Sequence, residues 1–293
     1  MIVASKKERA GYYLFLIPAF LVFGVFIFWP TVQSFYLSLC KYSLSSFKAA
    51  KYVGLKNYIS IFTNNVFWQS MKNTAIYTLF TVPFLMAAGL LLALMIHSKL
   101  VKYKTIYKVL FYIPYVSSIV AVAIVFKLIF DPGSSGIANQ ILMKLGLEPR
   151  AFLADNTWSM AIVILLSIWK SIGYVMIIYL GGLLGISQDI YDAVSLEAIT
   201  PWKKLTKITL PLLKPTTLFL LTTETISSFQ VFTPVNVMTG GGPGYATTTL
   251  ISLLYNSGFV EFNMGKASAI AVVIFVILTI LTLVQNKIGR AHV

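Results

Sequence analysis

The sequence predicts an all-α polytopic membrane protein with about six transmembrane helices. Of its 293 residues, 58% are hydrophobic and 11% are charged, whereas about a quarter of the residues in a soluble domain are charged. The mean hydropathy is +0.82. The apolar residues form long unbroken runs, and not the alternating segments of roughly ten residues that are typical of a membrane β-barrel. Because only helices and closed barrels satisfy their backbone groups in lipid, a helical bundle is the class that remains.

Six apolar segments are each close to the roughly 20 residues that a helix needs to cross a bilayer. They lie within a membrane domain of residues 12–289 and cover about residues 12–39, 74–97, 109–130, 158–184, 210–232 and 267–285. The first segment follows a basic N-terminus (residues 1–11), as a signal peptide would. It is too long for one, and no small-x-small cleavage site follows it. We therefore predict that this segment is retained as the first span.

The distribution of basic residues predicts the orientation. Thirteen Lys and Arg residues lie in segments 1–11, 98–108, 187–214 and 285–293, whereas eight lie in the longer alternating segments 40–72, 130–157 and 234–266. Because Lys and Arg concentrate on the cytoplasmic side, the first set and both termini are predicted to be cytoplasmic. Four lysines oppose this assignment, namely Lys41, Lys48, Lys51 and Lys56. The same distribution accounts for the net charge of +14 without a nucleic-acid partner.

Residues 187–211 form a polar stretch between the fourth and fifth spans. Ser187 suits a helix N-cap, and the acidic Asp189 and Asp192 suit a first turn, so a helix is predicted to about Ile199. Thr200-Pro201 then predicts an N-cap and a proline at the first position of a second short helix, which runs through Lys207. The apolar residues of this hairpin fit either a groove on a protein partner or the surface of the membrane lipid.

This hairpin resembles the coupling loop of ABC importer permeases, whose signature is E-A-A-x3-G-x9-I-x-L-P. The residues at matching positions are Asp192, Ala193 and Val194 for E-A-A, Glu197 and Ala198 where Asp-Gly is usual, Trp202 at a frequent aromatic, and Ile208, Leu210 and Pro211 for I-x-L-P. The signature Glu is Asp here and the signature Gly is Ala. These departures bear on how tightly the loop turns, and the spacing of the remaining positions is that of the family.

Other motifs resemble the sugar-importer permease group, which carries out maltose-type carbohydrate uptake. They are Phe130-Asp-Pro-Gly133, Ile168-Trp-Lys-Ser-Ile-Gly173, Val237-Met-Thr-Gly-Gly-Gly-Pro243 and Phe262-Asn-Met-Gly-Lys-Ala-Ser-Ala269. The resemblance implies a type I ABC importer permease-like fold, with a cytoplasmic coupling-helix loop between spans 4 and 5. It also implies a multi-pass protein of a bacterial-type plasma (inner) membrane.

The resemblance further implies a heteromeric importer. The expected partners are a second permease subunit, two cytoplasmic ABC ATPase subunits and an extracytoplasmic solute-binding protein. The sequence has no G-x4-G-K-S/T motif, which is the phosphate-binding loop of ATPases. ATP and magnesium are therefore expected on the partner ATPase, with no cofactor on this chain and no enzymatic activity of its own. The alternative function is an ion-gradient-driven secondary carrier, a class that more often shows inverted repeats.

Polar residues inside the apolar spans are candidates for a substrate path, because charge in hydrocarbon is costly and usually faces a bundle interior or a water-filled cavity. The candidates are Lys170, Tyr174, Glu224, Phe229, Gln230 and Asn236, with Phe232 as a further aromatic that could cover a sugar ring. Lys170 and Glu224 could pair across the bundle. Alternatively, Lys170 reaches an interface and Glu224 is a structural hydrogen-bonding residue. His97 and His292 are too isolated to predict a metal site.

Overall fold

The structure is a computed structural model that describes residues 6–45, 49–98, 100–196 and 200–290. Its helices are α1 (Lys6–Phe23), α2 (Trp29–Ser38), α3 (Lys56–Phe62), α4 (Asn65–His97), α5 (Lys104–Val116), α6 (Ile119–Ile129), α7 (Ile137–Lys144), α8 (Trp158–Leu184), α9 (Gln188–Leu196), α10 (Pro201–Lys204), α11 (Leu210–Leu212), α12 (Lys214–Phe229), α13 (Thr233–Met238), α14 (Leu250–Tyr255) and α15 (Met264–Arg290). Wider π-helical turns occupy Gly24–Phe28, Leu205–Thr209 and Asn256–Val260, and a 3-10 turn occupies Phe152–Ala154. Two short strands, β1 (Cys40–Lys41) and β2 (Lys51–Tyr52), pair in antiparallel orientation.

Four helical stretches of the described residues are long and apolar enough to cross a membrane. They are Phe15–Ser38, Asn65–His97, Trp158–Leu184 and Met264–Lys287, and a fifth results if the bent pair α5 and α6 counts as one span. The sequence predicted about six, and the difference lies at residues 210–232. There the longest helix, α12, has only 16 residues, and nine of them are Lys, Glu, Thr or Ser. This segment is therefore less apolar than its neighbours.

The third predicted span, residues 109–130, is broken in the structure. Helix α5 ends at Val116, α6 begins at Ile119, and the two axes meet at 91°. The two linking residues have extended backbone, with ψ of 149° at Ser117 and 124° at Ser118. Pro114 lies in the last turn of α5 and has no N–H to continue the helical hydrogen bonds. The apolar run of the sequence thus concealed a sharp bend.

The chain divides into two compact units. One is formed by the described residues up to Asn64 together with Leu254–Phe275. In this unit the Asn57 side-chain amide donates to the backbone oxygens of Ser38 and Cys40, at 2.8 Å each. These two hydrogen bonds tie the start of α3 to the end of α2 and to β1.

The other unit comprises Asn65–Leu253 and the described residues from Val276 onward. Its centre is the pair of helices α4 and α8, which run in the same direction and pack along one another. A Cβ on Gly89 of α4 would lie 2.6 Å from Cγ1 of Val175 on α8, so a glycine is needed where the helices approach. Small residues at such crossings are characteristic of helix packing in membranes.

Two hydrophobic clusters of this unit share α8. The first joins α8 to α6 and α13 through Val163, Leu166, Ala123 and Val235. The second joins α8 to α4 and α12 through Met176, Tyr179, Leu85 and Leu220. Because α8 contributes residues to both clusters, the helices packed on it hold its polar side chains in place.

Candidate functional site

The polar hairpin of residues 187–211 begins both of its helices as the sequence predicts. Ser187 Oγ accepts a hydrogen bond from the Asp189 backbone N–H at 3.3 Å, at the start of α9. Thr200 has extended backbone (φ −63°, ψ 149°) and its Oγ1 accepts from the Lys203 N–H at 3.4 Å, with Pro201 following at the first position of α10. The predicted N-cap and proline start at Thr200-Pro201 are thus confirmed. Helix α10 is shorter than expected, because the α-helical turn widens into a π-helical one from Leu205.

Tyr191 holds the two arms of the hairpin together. Its side chain is buried, the Lys204 ammonium lies 4.4 Å from the centroid of its ring, and its hydroxyl is 3.4 Å from Thr209 Oγ1. The His97 ring at the end of α4 is 6.4 Å away, centroid to centroid. A cation over an aromatic face is attracted by the ring. Tyr191 therefore joins α9 to the segment that follows α10, and sequence reasoning had placed it only in the apolar set of the hairpin.

The residues at the signature positions divide by exposure. Asp192, Ala193, Trp202 and Pro211 are exposed, Ile208 and Leu210 are half-buried, and Val194 is buried. The Asp192 carboxylate accepts from the Gln188 side-chain amide at 2.9 Å, one turn earlier in α9. Trp202 stands out, because 72% of its large apolar side chain is exposed. Glu197, Ala198 and Ile199 lie outside the described residues, so the predictions for these three residues rest on the sequence alone.

A basic cleft of about 870 Å³ opens beside this hairpin. Its lining residues include His97, Lys104, Lys204, Asp192 and Tyr191. The Lys104 ammonium donates to the backbone oxygen of His97 at 3.0 Å, at the end of α4, where helix carbonyls lack partners. The hairpin therefore has a fixed base on α4 and α8, with Trp202 outside the cleft.

Lys170 of α8 caps the break between α5 and α6. Its ammonium donates to the backbone oxygens of Pro114 at 3.2 Å, Tyr115 at 2.7 Å and Ser117 at 2.9 Å. These carbonyls lie at the C-terminal end of α5, where the helix dipole favours a cation. Lys170 forms no ion pair with Glu224 among the described residues. The pairing with Glu224 is therefore not formed, because the backbone oxygens of the broken helix are the partners of the Lys170 ammonium.

The aromatic neighbours of Lys170 form a stack at the same bend. Tyr174, one turn further along α8, stacks on Tyr115 with ring centroids 4.8 Å apart and planes 15° apart. Tyr112 lies 5.5 Å from Tyr115. The Lys170 ammonium is 5.6 Å from the Tyr115 centroid. Of the predicted path residues, Lys170 and Tyr174 are thus brought together on one structural feature, the α5–α6 bend.

Glu224 of α12 faces a small polar cleft of about 180 Å³ in the same unit. Eight of the eleven lining side chains are polar: Tyr77, Thr81, Ser167, Lys170, Ser171, Glu224, Ser227 and Ser228, with Leu85, Ile119 and Pro234 completing the wall. Glu224 is 9% exposed. Among the described residues, none forms an ion pair with it or donates to its carboxylate. Two predicted path residues, Lys170 and Glu224, therefore share one cavity.

The remaining predicted path residues lie elsewhere. Phe229 is buried, while Gln230 and Asn236 are exposed, and none of the three lines the cleft around Glu224. Helix α12 ends at Phe229, so the residues beyond it leave the face on which Glu224 lies. Glu224 is therefore not grouped with Gln230 and Asn236 in this cavity, because α12 ends at Phe229. Their place on a solute path stays a prediction.

Sequence reasoning missed the hydroxyl residues of the cleft, although a signal was available. Tyr77 and Thr81, Ser167 and Ser171, and Glu224 and Ser228 are each four residues apart on α4, α8 and α12 respectively. Residues at this spacing share one face of a helix. Three apolar helices that each carry such a pair predict a common polar interior. The Thr81 hydroxyl oxygen is buried and without a hydrogen-bond partner in the described part of the chain.

Among the described residues, no three His, Cys, Asp or Glu side chains lie close enough together to hold a metal ion. The polar cleft and the hairpin are thus the two candidate sites. Both belong to a bundle with several spans, a bent helix and a polar interior. These features define a membrane permease.

The chain belongs to the family of binding-protein-dependent transport system inner membrane components, whose model matches residues 65–291. This match covers all the described residues of the second unit, including those of the hairpin and the polar cleft. It confirms the resemblance to ABC importer permeases and the multi-pass membrane location. It also favours an importer over the secondary carrier that the residues had left open.

Related proteins resemble this chain along almost its full length. The probable ABC transporter permease protein YurN of Bacillus subtilis is 36% identical over 94% of this chain and 94% of its own length. The arabinooligosaccharides transport system permease protein AraP of the same species is 33% identical over 97% and 90%. The lactose transport system permease protein LacF of Rhizobium radiobacter is 32% identical over 99% of each.

Solved structures agree with the fold. A chain of a bacterial ABC transporter involved in the import of the acidic polysaccharide alginate superposes with a TM-score of 0.84 and 26% identity, over 97% of this chain and 96% of that one. The inward-facing MetNI methionine ABC transporter superposes with a TM-score of 0.55 over 80% of this chain and 98% of that one, at 15% identity. The second likeness concerns the fold alone. The type I ABC importer permease fold is thereby confirmed.

Proposed function

We propose that this chain is a permease subunit of an ATP-driven importer whose cargo is a sugar or oligosaccharide. The observation that carries the proposal is the family match, together with relatives above 30% identity that are named for arabinooligosaccharide and lactose transport. The polar cleft around Glu224 supports it, because convergent hydroxyl groups and a carboxyl group are what recognition of a small polar solute requires.

The complete importer would contain four further subunits of three kinds. A second permease subunit would complete the pore, two cytoplasmic ATPase subunits would bind ATP and magnesium, and an extracytoplasmic binding protein would deliver the solute. A related alginate transporter has been solved with a periplasmic protein bound to an alginate pentasaccharide. With the termini cytoplasmic, as the basic residues predict, the hairpin of α9 and α10 lies on the ATPase side.

The hairpin would connect ATP hydrolysis to solute movement. It is anchored through Tyr191, while Trp202 is exposed on its surface. Large aromatic residues that are exposed in one chain are frequent anchors at protein interfaces. A displacement of Trp202 or of the exposed turn of α9 would be transmitted to α4 and α8 through Tyr191 and the residues at the base of the cleft. The signature residues Asp192, Glu197 and Ala198 lie within this surface or next to it in sequence.

Copurification from the native membrane tests the proposal. The tagged chain is extracted in mild detergent and the proteins that accompany it are identified by mass spectrometry. We expect an ABC ATPase and a second permease in comparable amounts, and ATP-dependent uptake when the complex and its binding protein are placed in liposomes. A chain that purified alone and moved solute in an ion gradient without ATP would contradict the proposal.

A further inference from the structure

Glu224 is a buried carboxyl group that the described part of the chain leaves without a partner. It lies in the middle of α12 and is 9% exposed. No described residue donates to it. Across the same cleft, the Thr81 hydroxyl is also buried and unpartnered. Because a buried polar group without a hydrogen bond is destabilising, two such groups in one cavity indicate a position that a ligand fills.

Lys170 does not meet this need, although it lines the same cleft. A lysine ammonium has three donors, and those of Lys170 are engaged by the carbonyls of Pro114, Tyr115 and Ser117 at 2.7–3.2 Å. It therefore has no donor left for a solute. The cleft contains one ammonium and one carboxyl group, and only the carboxyl group is available for hydrogen bonding.

The rest of the lining consists mainly of hydroxyl groups. The lining side chains that carry hydroxyl groups include Tyr77, Ser167, Ser171, Ser227 and Ser228. The volume of about 180 Å³ is smaller than the ~300–1,000 Å³ of sites for drug-sized ligands. A single sugar unit is therefore a better match to this cavity than a whole oligosaccharide.

We infer that Glu224 accepts hydrogen bonds from two hydroxyl groups of an uncharged sugar unit, and that this cleft discriminates against acidic saccharides. The two oxygens of a carboxyl group both accept hydrogen bonds, so a pair of adjacent hydroxyls satisfies it. A carboxylate or phosphate on the solute would bring a charge into a cleft that offers it no available cationic donor, and burial of an unpaired charge is strongly unfavourable. The inference rests on the proposed function, since it assigns the sugar to this cavity.

Matched pairs of saccharides test the inference. The purified complex of this chain with its partner permease and ATPases is offered a panel of neutral oligosaccharides, each paired with the same compound oxidised at C6 to the uronate. Equilibrium binding is measured without the binding protein, so that its own preference does not contribute. We expect neutral members to bind at least about tenfold more tightly than their uronates, because burial of the uronate charge without a cationic partner is strongly unfavourable.

Two variants assign the effect to one residue. Glu224→Gln keeps the shape but replaces one acceptor oxygen with an amide donor, and it should weaken binding of the neutral compound and narrow its advantage over the uronate several-fold. Glu261→Gln is the matched control, because Glu261 is half-exposed and pairs with Lys266 at 3.2 Å in the other unit. The control should bind both compounds as the unmodified chain does. Amounts of complex recovered from the membrane show whether either variant folds.

The outcomes separate this inference from the proposed function. Equal binding of the two compounds, or tighter binding of the uronate, would overturn the inference while ATP-dependent uptake left the importer assignment intact. Discrimination that survived in Glu224→Gln would overturn the role of Glu224. A panel in which no saccharide bound would also overturn it, because the cleft must take a sugar directly. Failure of the proposed function would appear separately, as a chain without ATPase partners.

Discussion

The α9–α10 hairpin and the cleft around Glu224 carry the two halves of the proposed function, and they are constructed in opposite ways. The hairpin is continuous in sequence, lies largely on the surface and is anchored by Tyr191. The cleft gathers side chains from Tyr77 to Pro234, so it exists only after α4, α8 and α12 have packed. A surface that binds another protein can be encoded by one continuous motif. A cavity that binds a solute forms only when the whole bundle has packed.

The largest expected effect separates the hairpin from the bundle. Removal of residues 192–198 should abolish association with the ATPase subunits and leave the chain inserted in the membrane, since the cores on either side of α8 do not include this segment. Copurification of the ATPase from solubilised membranes measures the association, and carbonate extraction measures insertion.

The control for this deletion is a cut of similar length at another exposed segment. Residues 145–149 follow α7 and are all exposed, so their removal should leave ATPase association unchanged. Retention of the ATPase after loss of residues 192–198 would show that the hairpin is not the coupling element. Loss after both deletions would show that the assay reports general damage to the chain.

The hairpin was predictable because its signals are local. Thr200-Pro201 predicts the start of α10 wherever the segment lies, since an N-cap oxygen and a fixed φ act within one turn. The long spans were predictable for a similar reason, as length and hydropathy suffice for α4 and α8. For the residues of the cleft, the only signal in the sequence was the four-residue spacing of polar side chains on three separate helices. Which faces meet is decided by packing at positions such as Gly89 and Val175, and that information is not local.

The bend at Ser117-Ser118 shows the same limit inside a span. Hydropathy treats residues 109–130 as one apolar run, because two serines and a proline hardly lower its average. The backbone is free to turn by 91° there because Lys170, 53 residues away in sequence from Ser117, donates to its backbone oxygen. Freed backbone groups at membrane depth need protein partners. The lysine that seemed a candidate for the solute path is such a partner.

Disruption of the bundle at a single close contact has the next largest expected effect. A Cβ on Gly173 would overlap the backbone oxygen of Phe111 and lie 2.9 Å from Cα of Tyr112. Because these are backbone atoms of α5, they cannot rotate away, and Gly173→Ala should destabilise the bundle by about 1–3 kcal/mol, as overpacking does. The yield of folded protein and its thermal unfolding in detergent measure this loss.

Gly181→Ala is the matched control, because Gly181 lies on the same helix and a Cβ there would meet no atom within 4 Å. This variant should unfold at or slightly above the temperature of the unmodified chain, since alanine is the better helix former. If Gly173→Ala were equally stable, the close contact between α5 and α8 would not be present in solution. In contrast with the hairpin deletion, Gly173→Ala should lower ATPase association only in proportion to the folded protein that is lost.

Lys170→Met should give the smallest of these effects, and it tests whether the two regions act on the same helix. The methionine keeps the apolar stem but leaves three carbonyls of the α5 terminus without their donor. The expected loss is about 1–2 kcal/mol, as for a cation at a partly buried helix C-terminus. Hydrogen exchange of backbone amides at residues 113–119 should quicken, while copurification of the ATPase stays unchanged.

Lys127→Met makes the same change of charge at an exposed site on α6 and should leave exchange at the bend unaltered. If Lys170→Met lowered solute uptake without faster exchange at the bend, Lys170 would act on the solute directly. Faster exchange together with slower uptake would instead place its effect in the shape of the bend, beside which the cleft of Glu224 lies.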